Sequence, residues 1–180
     1  MKNILVLFAS PHKQGKTAAL LNIYMEQYLQ TLNDSFKVDI LPVYDQHILP
    51  CIGCNACIKS CICPQNTKDD VKKIFDYILK SNHIVVASPV YFSGFPSPLK
   101  ALIDRAQQLY NKKIKNGKVK NLKIRTGALI ATCGSNNKNS FIPLRDCCKQ
   151  FFDCLDVDLS TRLYAANTDN LSNIKIHNEN

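Results

Sequence analysis

Apolar runs of strand length alternate with helical stripes along this chain, and that alternation constrains the fold more than any other feature. Residues 3–9 (NILVLFA) form a continuous apolar run, as expected of a strand covered on both faces. A helix is predicted from about Thr17 to Leu32, with Leu21, Tyr24, Met25, Tyr28 and Leu32 on one face. Phe36–Leu41 reads as a second strand. The next helix is expected to start near Thr67 as N-cap, with Val71, Ile74, Phe75, Ile78 and Leu79 as its apolar stripe. His83–Ser88 is a third buried strand. Ser97 then caps a helix with Pro98 at its first position, lined by Leu99, Leu102, Ile103, Ala106 and Leu109. A fourth strand falls within Leu122–Thr132, and a fourth helix carries Phe141, Leu144, Cys148, Phe151, Phe152 and Leu155. Val157, Leu159, Thr161 and Leu163 alternate as a less buried final strand would.

The pattern βαβαβαβαβ predicts an α/β fold, a doubly wound, flavodoxin-like five-stranded parallel sheet in the order 2-1-3-4-5. Such sheets bind ligands past the carboxyl ends of the strands, where strands 1 and 3 part. The unusual loops all leave that rim: Ser10–Thr17, a long loop over residues 42–66, Pro89–Ser97 and Cys133–Asn139. The 180 residues suit one domain, expected over 1–166, with 167–180 a polar tail that is either mobile or a short final helix. No apolar segment approaches membrane-spanning length, and the first apolar run is too short for a signal-peptide core, so a cytoplasmic location is expected.

Ser10-Pro-His-Lys-Gln-Gly-Lys-Thr17 joins a buried strand to a helix. Hydroxyls, a glycine and free amides at a helix start make a phosphate site, and His12, Lys13 and Lys16 add positive charge beside Ser10, Gly15 and Thr17. The plainer reading is a strand–helix turn with Thr17 as a cap. The segment also nearly matches the nucleotide-hydrolase loop G-x-x-x-x-G-K-[ST], but Ser10 replaces the first glycine and neither IVVAS nor ALIATC ends in a magnesium-binding Asp.

Ser88-Pro-Val-Tyr-Phe-Ser-Gly94 follows the third strand. Pro89, Val90, Tyr91, Phe92 and Gly94 offer apolar contact and exposed backbone, which a flat isoalloxazine requires of its binding wall. The two aromatics read equally well as core.

Five cysteines crowd into residues 51–63, written CIGCNACIKSCIC. The spacing C-x2-C-x2-C is the usual opening of an iron–sulfur ligand set, and a reducing compartment disfavours disulfides. A [4Fe–4S] cluster is the leading assignment, against structural zinc and a redox-active or inert thiol set. A ferredoxin-like spacing would use Cys61 as fourth ligand, but the proline expected after that cysteine follows Cys63 instead. Cys133, Cys147, Cys148 and Cys154 read as structural.

Together these motifs resemble the NAD(P)H-dependent FMN reductase family, in particular its iron–sulfur flavoprotein branch. Members read G-S-P-R-x-x-G-N-T after strand 1, and S-P-V-Y-[FW] then L-K-x-x-I-D-R after strand 3. Here the corresponding residues are Ala9–Thr17, Ser88–Phe92 and Leu99–Arg105. The branch's compact cysteine motif has a final gap of four to seven residues, which Cys51, Cys54, Cys57 and Cys63 fit and Cys61 does not. The resemblance spans residues 3–110 and implies FMN phosphate on Ser10, His12, Gly15 and Thr17, with the ring against Pro89–Phe92. Ala9, His12 and Lys16 depart from the usual glycine, arginine and asparagine; Lys13 and Lys16 can supply the missing charge. The resemblance also implies a homodimer or higher oligomer.

The formal charge is +9, and seven of the 14 residues from Lys112 to Arg125 are basic with no acid among them. This stretch reads as a solvated loop, or as a patch for an anionic cofactor or redox partner; it lacks the interleaved aromatics and motifs of a nucleic-acid binder. The expected function is an FMN-dependent oxidoreductase that takes electrons from NAD(P)H and passes them to a small-molecule or ferredoxin-like acceptor, with FMN rather than a side chain doing the chemistry. The alternatives are a non-enzymatic electron carrier partnered with ferredoxin and a P-loop nucleotide hydrolase.

Overall fold

The computed structural model describes residues 2–33, 35–116, 125–169 and 175–179. The strands are β1 (Lys2–Phe8), β2 (Phe36–Pro42), β3 (His83–Pro89), β4 (Arg125–Thr132), β5 (Val157–Ala166) and β6 (Lys175–Glu179). The helices are α1 (Lys16–Gln30), α2 (Ala56–Ser60), α3 (Val71–Lys80), α4 (Ser97–Arg105), α5 (Gln107–Asn116) and α6 (Ile142–Cys154). They build one sheet in the order β2-β1-β3-β4-β5-β6. The first five strands run parallel and β6 pairs antiparallel with β5.

The continuous apolar run of β1 has a direct cause. Leu5 and Leu7 face a core shared with α3, α4 and α6, while Ile4, Val6 and Phe8 face α1. A strand buried on both sides cannot alternate apolar with polar residues. By contrast β2 lies at the sheet edge, with Phe36 and Ile40 exposed. On the other flank α6 sits hard against β4: a Cβ on Gly127 would lie 2.3 Å from the ring of Phe152.

Four expectations change. The sheet has six strands rather than five, because residues 175–179 of the expected tail add to β5 instead of floating or forming a helix. Thr67 does not cap the second long helix. It closes a 3-10 turn begun by Pro64, and the helix starts at Val71, whose amide donates to Asp69 Oδ1 at 3.2 Å. Ser97 is the first residue of α4 rather than its cap, with Pro96 in the capping place. The stripe from Leu99 to Leu109 spans two helices, which break at Ala106. Residues 122–124 of the expected fourth strand lie outside the described residues.

Candidate functional site

The carboxyl ends of β1, β3 and β4 meet at one rim. Ala9 donates its amide to Ala87 O and Val90 donates to Thr132 O, both at 2.8 Å, so the strand ends are held in register where the loops depart. Ser10 and Thr17 are buried there, while His12, Lys13 and Lys16 stay exposed. The His12 amide donates to Ser10 Oγ at 3.2 Å and the Gly15 amide to His12 O at 3.1 Å, which folds the loop back on itself. Gly15 suits this close approach, since a Cβ there would come within 3.0 Å of His12 Cβ and push the loop outward. Gly15 is also the N-cap of α1 and has no side chain with which to close it, and the first turn carries no acid. The start of a 15-residue helix therefore presents its amides and dipole to the rim, an arrangement suited to an anion. Thr17 Oγ1 lies 2.8 Å from Thr132 Oγ1, a contact that ties the loop to β4. Lys13 pairs with Asp45 at 2.6 Å across two exposed side chains. Such a surface pair contributes little stability but orients the lysine.

Beside this loop stands the wall. Pro89 and Val90 are half-buried, Tyr91 is exposed and Phe92 is fully exposed. Tyr91 and Gly94 exchange backbone hydrogen bonds at 3.0 and 2.9 Å, closing a turn in which Phe92 and Ser93 take φ of 48° and 58°. Two successive left-handed residues make the type I′ geometry, and each non-glycine there costs about 1–2 kcal/mol. Strain of this kind concentrates at functional loops. The aromatic pair is therefore not core, as the plainer reading had it.

Two neighbours of the rim were not foreseen. Tyr44 lies close enough to Tyr91 that its phenol pKa is raised, chiefly by partial burial and then by that neighbour. Asp169 packs onto the loop after β4, where a Cβ on Gly134 would meet its carboxylate at 2.2 Å. Nothing in the sequence marks either, because both depend on how separate loops cross. Cys133 is buried next to Ser135, with 3.3 Å between Sγ and Oγ.

All nine cysteines are free. Cys51 and Cys54 are exposed, whereas Cys57, Cys61 and Cys63 are half-buried around the short helix α2. The donors suit a soft metal in kind and in spacing, but the fold does not draw the set Cys51, Cys54, Cys57 and Cys63 together. Among the described residues no three His, Cys, Asp or Glu side chains are close enough to hold a metal ion. Burial raises the thiol pKa values of Cys147, Cys148 and Cys154, which fits the structural role expected of them. The ends of the cysteine loop are anchored by residues that sequence reasoning passed over: Asn66, Asp69, Arg105 and Gln108, with Arg105 only 1% and Asp69 0% exposed in their side chains. The signal was present in Arg105, which falls three residues after Leu102 on an otherwise apolar stripe.

A cavity of about 670 Å³ lies between α4, α5 and α6, lined by Ile103, Tyr110, Cys147, Phe151 and Cys154. It holds none of the rim motifs, so volume alone does not point to the site.

The fold and rim define a class: a flavodoxin-like α/β protein with an anion-receptive loop at its topological switch point. The solved structures it resembles share that fold. An FMN-dependent NADH-azoreductase from Bacillus anthracis in complex with FMN superposes with a TM-score of 0.67 at 17% identity, covering 93% of this chain and 88% of that one. An NAD(P)H:quinone oxidoreductase from Methanothermobacter marburgensis gives 0.62 at 13%, covering 92% and 83%. The chain belongs to the NADPH-dependent FMN reductase family, whose model matches residues 2–140. Curated relatives are iron–sulfur flavoproteins. That of Methanocaldococcus jannaschii is 33% identical over 106 residues, 59% of this chain and 52% of the relative. That of Methanosarcina thermophila is 32% identical over 102 residues, covering 57% and 49%. The chain thus spans about half the length of these relatives.

Proposed function

We propose that this chain binds FMN at the rim and works as a flavin-dependent oxidoreductase drawing electrons from NAD(P)H. The observation that carries this is the uncapped α1 start at Gly15, set beside the Pro89–Gly94 wall where β1 and β3 part. Ser10, His12, Lys13, Gly15, Lys16 and Thr17 would take the phosphate end: amides and dipole attract the anion, and the exposed cations add to that field. Pro89, Val90, Tyr91, Phe92 and Gly94 would flank the ring, with the turn holding Phe92 outward to cover it from water. When bound, FMN supplies hydride acceptance and electron release, and a [4Fe–4S] centre supplies single-electron transfer. Cys51, Cys54, Cys57 and Cys63 would hold that centre, with Cys61 left out. The absence of an acid at the end of β3 (Ser88-Pro89) or β4 (Thr132) weighs against nucleotide hydrolysis.

A second reading is a carrier of single electrons for an acidic ferredoxin-like partner. It draws on α5, where Lys115 Nζ donates to Lys59 O of the cysteine loop at 3.4 Å, while Lys113 is turned to Asp156 at 2.7 Å. Residues 117–124 of the basic stretch from Lys112 to Arg125 lie outside the described residues, and Arg125 at its end is no part of a surface patch, being buried at the start of β4 with its guanidinium donating to Ile78 O and Leu155 O. Ile52, Ile58, Ile62 and Phe92 are exposed around the rim, which supports assembly as a homodimer or larger oligomer with this face covered. Among the described residues no helix is long and apolar enough to cross a membrane, in keeping with the cytoplasmic placement proposed for the protein.

Anaerobic purification followed by absorbance and metal analysis tests the reading. The expected result is a flavin spectrum that bleaches on adding NADPH or NADH, with iron and acid-labile sulfide present and lost in Cys63→Ser but not Cys61→Ser. A protein that takes up no FMN would refute the proposal, and flavin that bleaches only with a reduced ferredoxin would favour the carrier.

A further inference from the structure

Residues 50–65 carry five thiols on a loop with little regular structure, yet its two ends are gripped by a buried polar network. Arg105, at the end of α4, pairs with Asp69 at 2.5 Å. Between them they hold both backbone groups of Leu49: Arg105 Nη1 donates to Leu49 O at 3.0 Å, and Leu49 N donates to Asp69 Oδ2 at 3.1 Å. That fixes the chain two residues before Cys51. The other arm of the guanidinium donates to Asn66 Oδ1 at 2.9 Å. Asn66 Nδ2 donates to Gln108 Oε1 at 2.8 Å, and the same oxygen accepts the amide of Cys63 at 3.2 Å. A relay thus runs from Arg105 through Asn66 and Gln108 to the backbone of Cys63. One helical turn on, Asn111 Nδ2 lies 3.3 Å from Cys57 Sγ, in place to donate to it.

The energetics of this network favour a role other than bulk stability. A buried ion pair is rarely more stabilising than apolar side chains of the same volume. Arg105 also leaves its buried Nε without a hydrogen-bond partner among the described residues, which adds a desolvation cost. What such a network does provide is a defined geometry at each place where it touches the loop.

We propose that Arg105 and Asp69, with Asn66, Gln108 and Asn111, are positioning residues that hold the cysteine loop in register for a soft-metal centre, with α5 supplying the surface on which Cys57 and Cys63 are set. This rests on the reading of those cysteines as ligands. The side chains at Cys51 and Cys54 lie outside the grip and are exposed, whereas Cys57 and Cys63 are each held from α5.

The test compares the native chain with Arg105→Met/Asp69→Leu, which replaces the pair by apolar side chains, and with Gln108→Met and Asn111→Ala, which leave the pair intact. Each is stripped of metal and its thiols are labelled with iodoacetamide, site by site. The native chain is expected to label Cys51 and Cys54 fast and Cys57 and Cys63 slowly. The double variant should label Cys63 about tenfold faster, as local opening of an untethered segment requires. Iron uptake on reconstitution should fall by a similar factor, while FMN content and the unfolding midpoint hold. Asn111→Ala should accelerate Cys57 alone. Unchanged labelling of Cys57 and Cys63 in folded variants overturns the proposal. So does joint loss of FMN and fold in the double variant together with native labelling in Gln108→Met. If the native chain takes up no iron, the ligand reading fails, while the labelling pattern still reports on the tether.

Discussion

His83 opens β3 at the end of the sheet opposite the rim, inside a small polar knot. Its Nε2 lies 2.8 Å from Tyr24 Oη and its Nδ1 2.7 Å from Thr126 Oγ1, while the ring of Tyr28 stacks on it at 4.2 Å. Burial, and after it the charge of Lys2, pushes the imidazole pKa down from 6.5 to about 4. Between those values the unfolded chain holds a proton that the folded chain refuses, so stability rises with pH across the window. The contribution is complete above about pH 6.5 and drains away as the pH falls towards 4, at up to about 1.4 kcal/mol per pH unit. Urea midpoints measured from pH 4.5 to 7.5 should show that slope, and His83→Gln should flatten it; an unchanged slope would remove His83 as the cause. In the sequence His83 is merely the first letter of HIVVAS. Its strand was legible because buried strands are continuous apolar runs, but its partners come from α1 and β4, and no local spacing encodes them. Arg105 was legible only as an anomaly for the same reason: a cation on an apolar stripe announces a buried partner without naming Asp69.

Among the elements, α6 packs closely on β4. Gly127 lets the two approach until the Phe152 ring occupies the place of a side chain. Gly127→Ala should therefore destabilise the fold by about 1–3 kcal/mol, the usual cost of overpacking a filled core. Thermal unfolding would record this as a fall of several degrees in Tm, with flavin binding intact because the rim lies at the far end of β4. A fall of less than a degree would mean that α6 moves away freely. The helices and parallel strands were readable in the sequence because their periods differ. Their ends were less so: Thr67 looks like a cap, but Asp69 is drawn to Arg105 and serves Val71 instead. The loops of the rim were readable as positions, since strand order alone puts them at one edge. The arrangement within the cysteine loop was not, because C-x2-C spacing states which thiols can converge and says nothing of what holds them apart or together.

At the scale of the whole molecule, a ligand that binds only the folded rim must stabilise every element that frames it. With FMN at 100 times its dissociation constant the gain is about 2.7 kcal/mol. For a chain of this length that corresponds to a rise in Tm on the order of 5–10 °C. Gly15→Ala, which crowds His12, should lose most of that rise with little change in the ligand-free midpoint; an equal rise in both proteins would move the phosphate site elsewhere. The sixth strand shows where the whole was not legible. Residues 175–179 are too polar to read as a buried strand, yet an antiparallel edge strand needs only backbone pairing with β5.

The strand order has a consequence for how the protein is made. β1, which precedes the other strands in sequence, lies inside the sheet, with Ile4 paired to Val38 on one side and His83 on the other. Thr17, at the start of α1, waits for Thr132. β1 therefore gains its second neighbour only once β3 has been made, and the rim cannot be completed before β4 emerges. Chains stalled with β3 exposed outside the ribosome but β4 still in the tunnel should recruit chaperones and ignore FMN, and chains released a few dozen residues later should bind it.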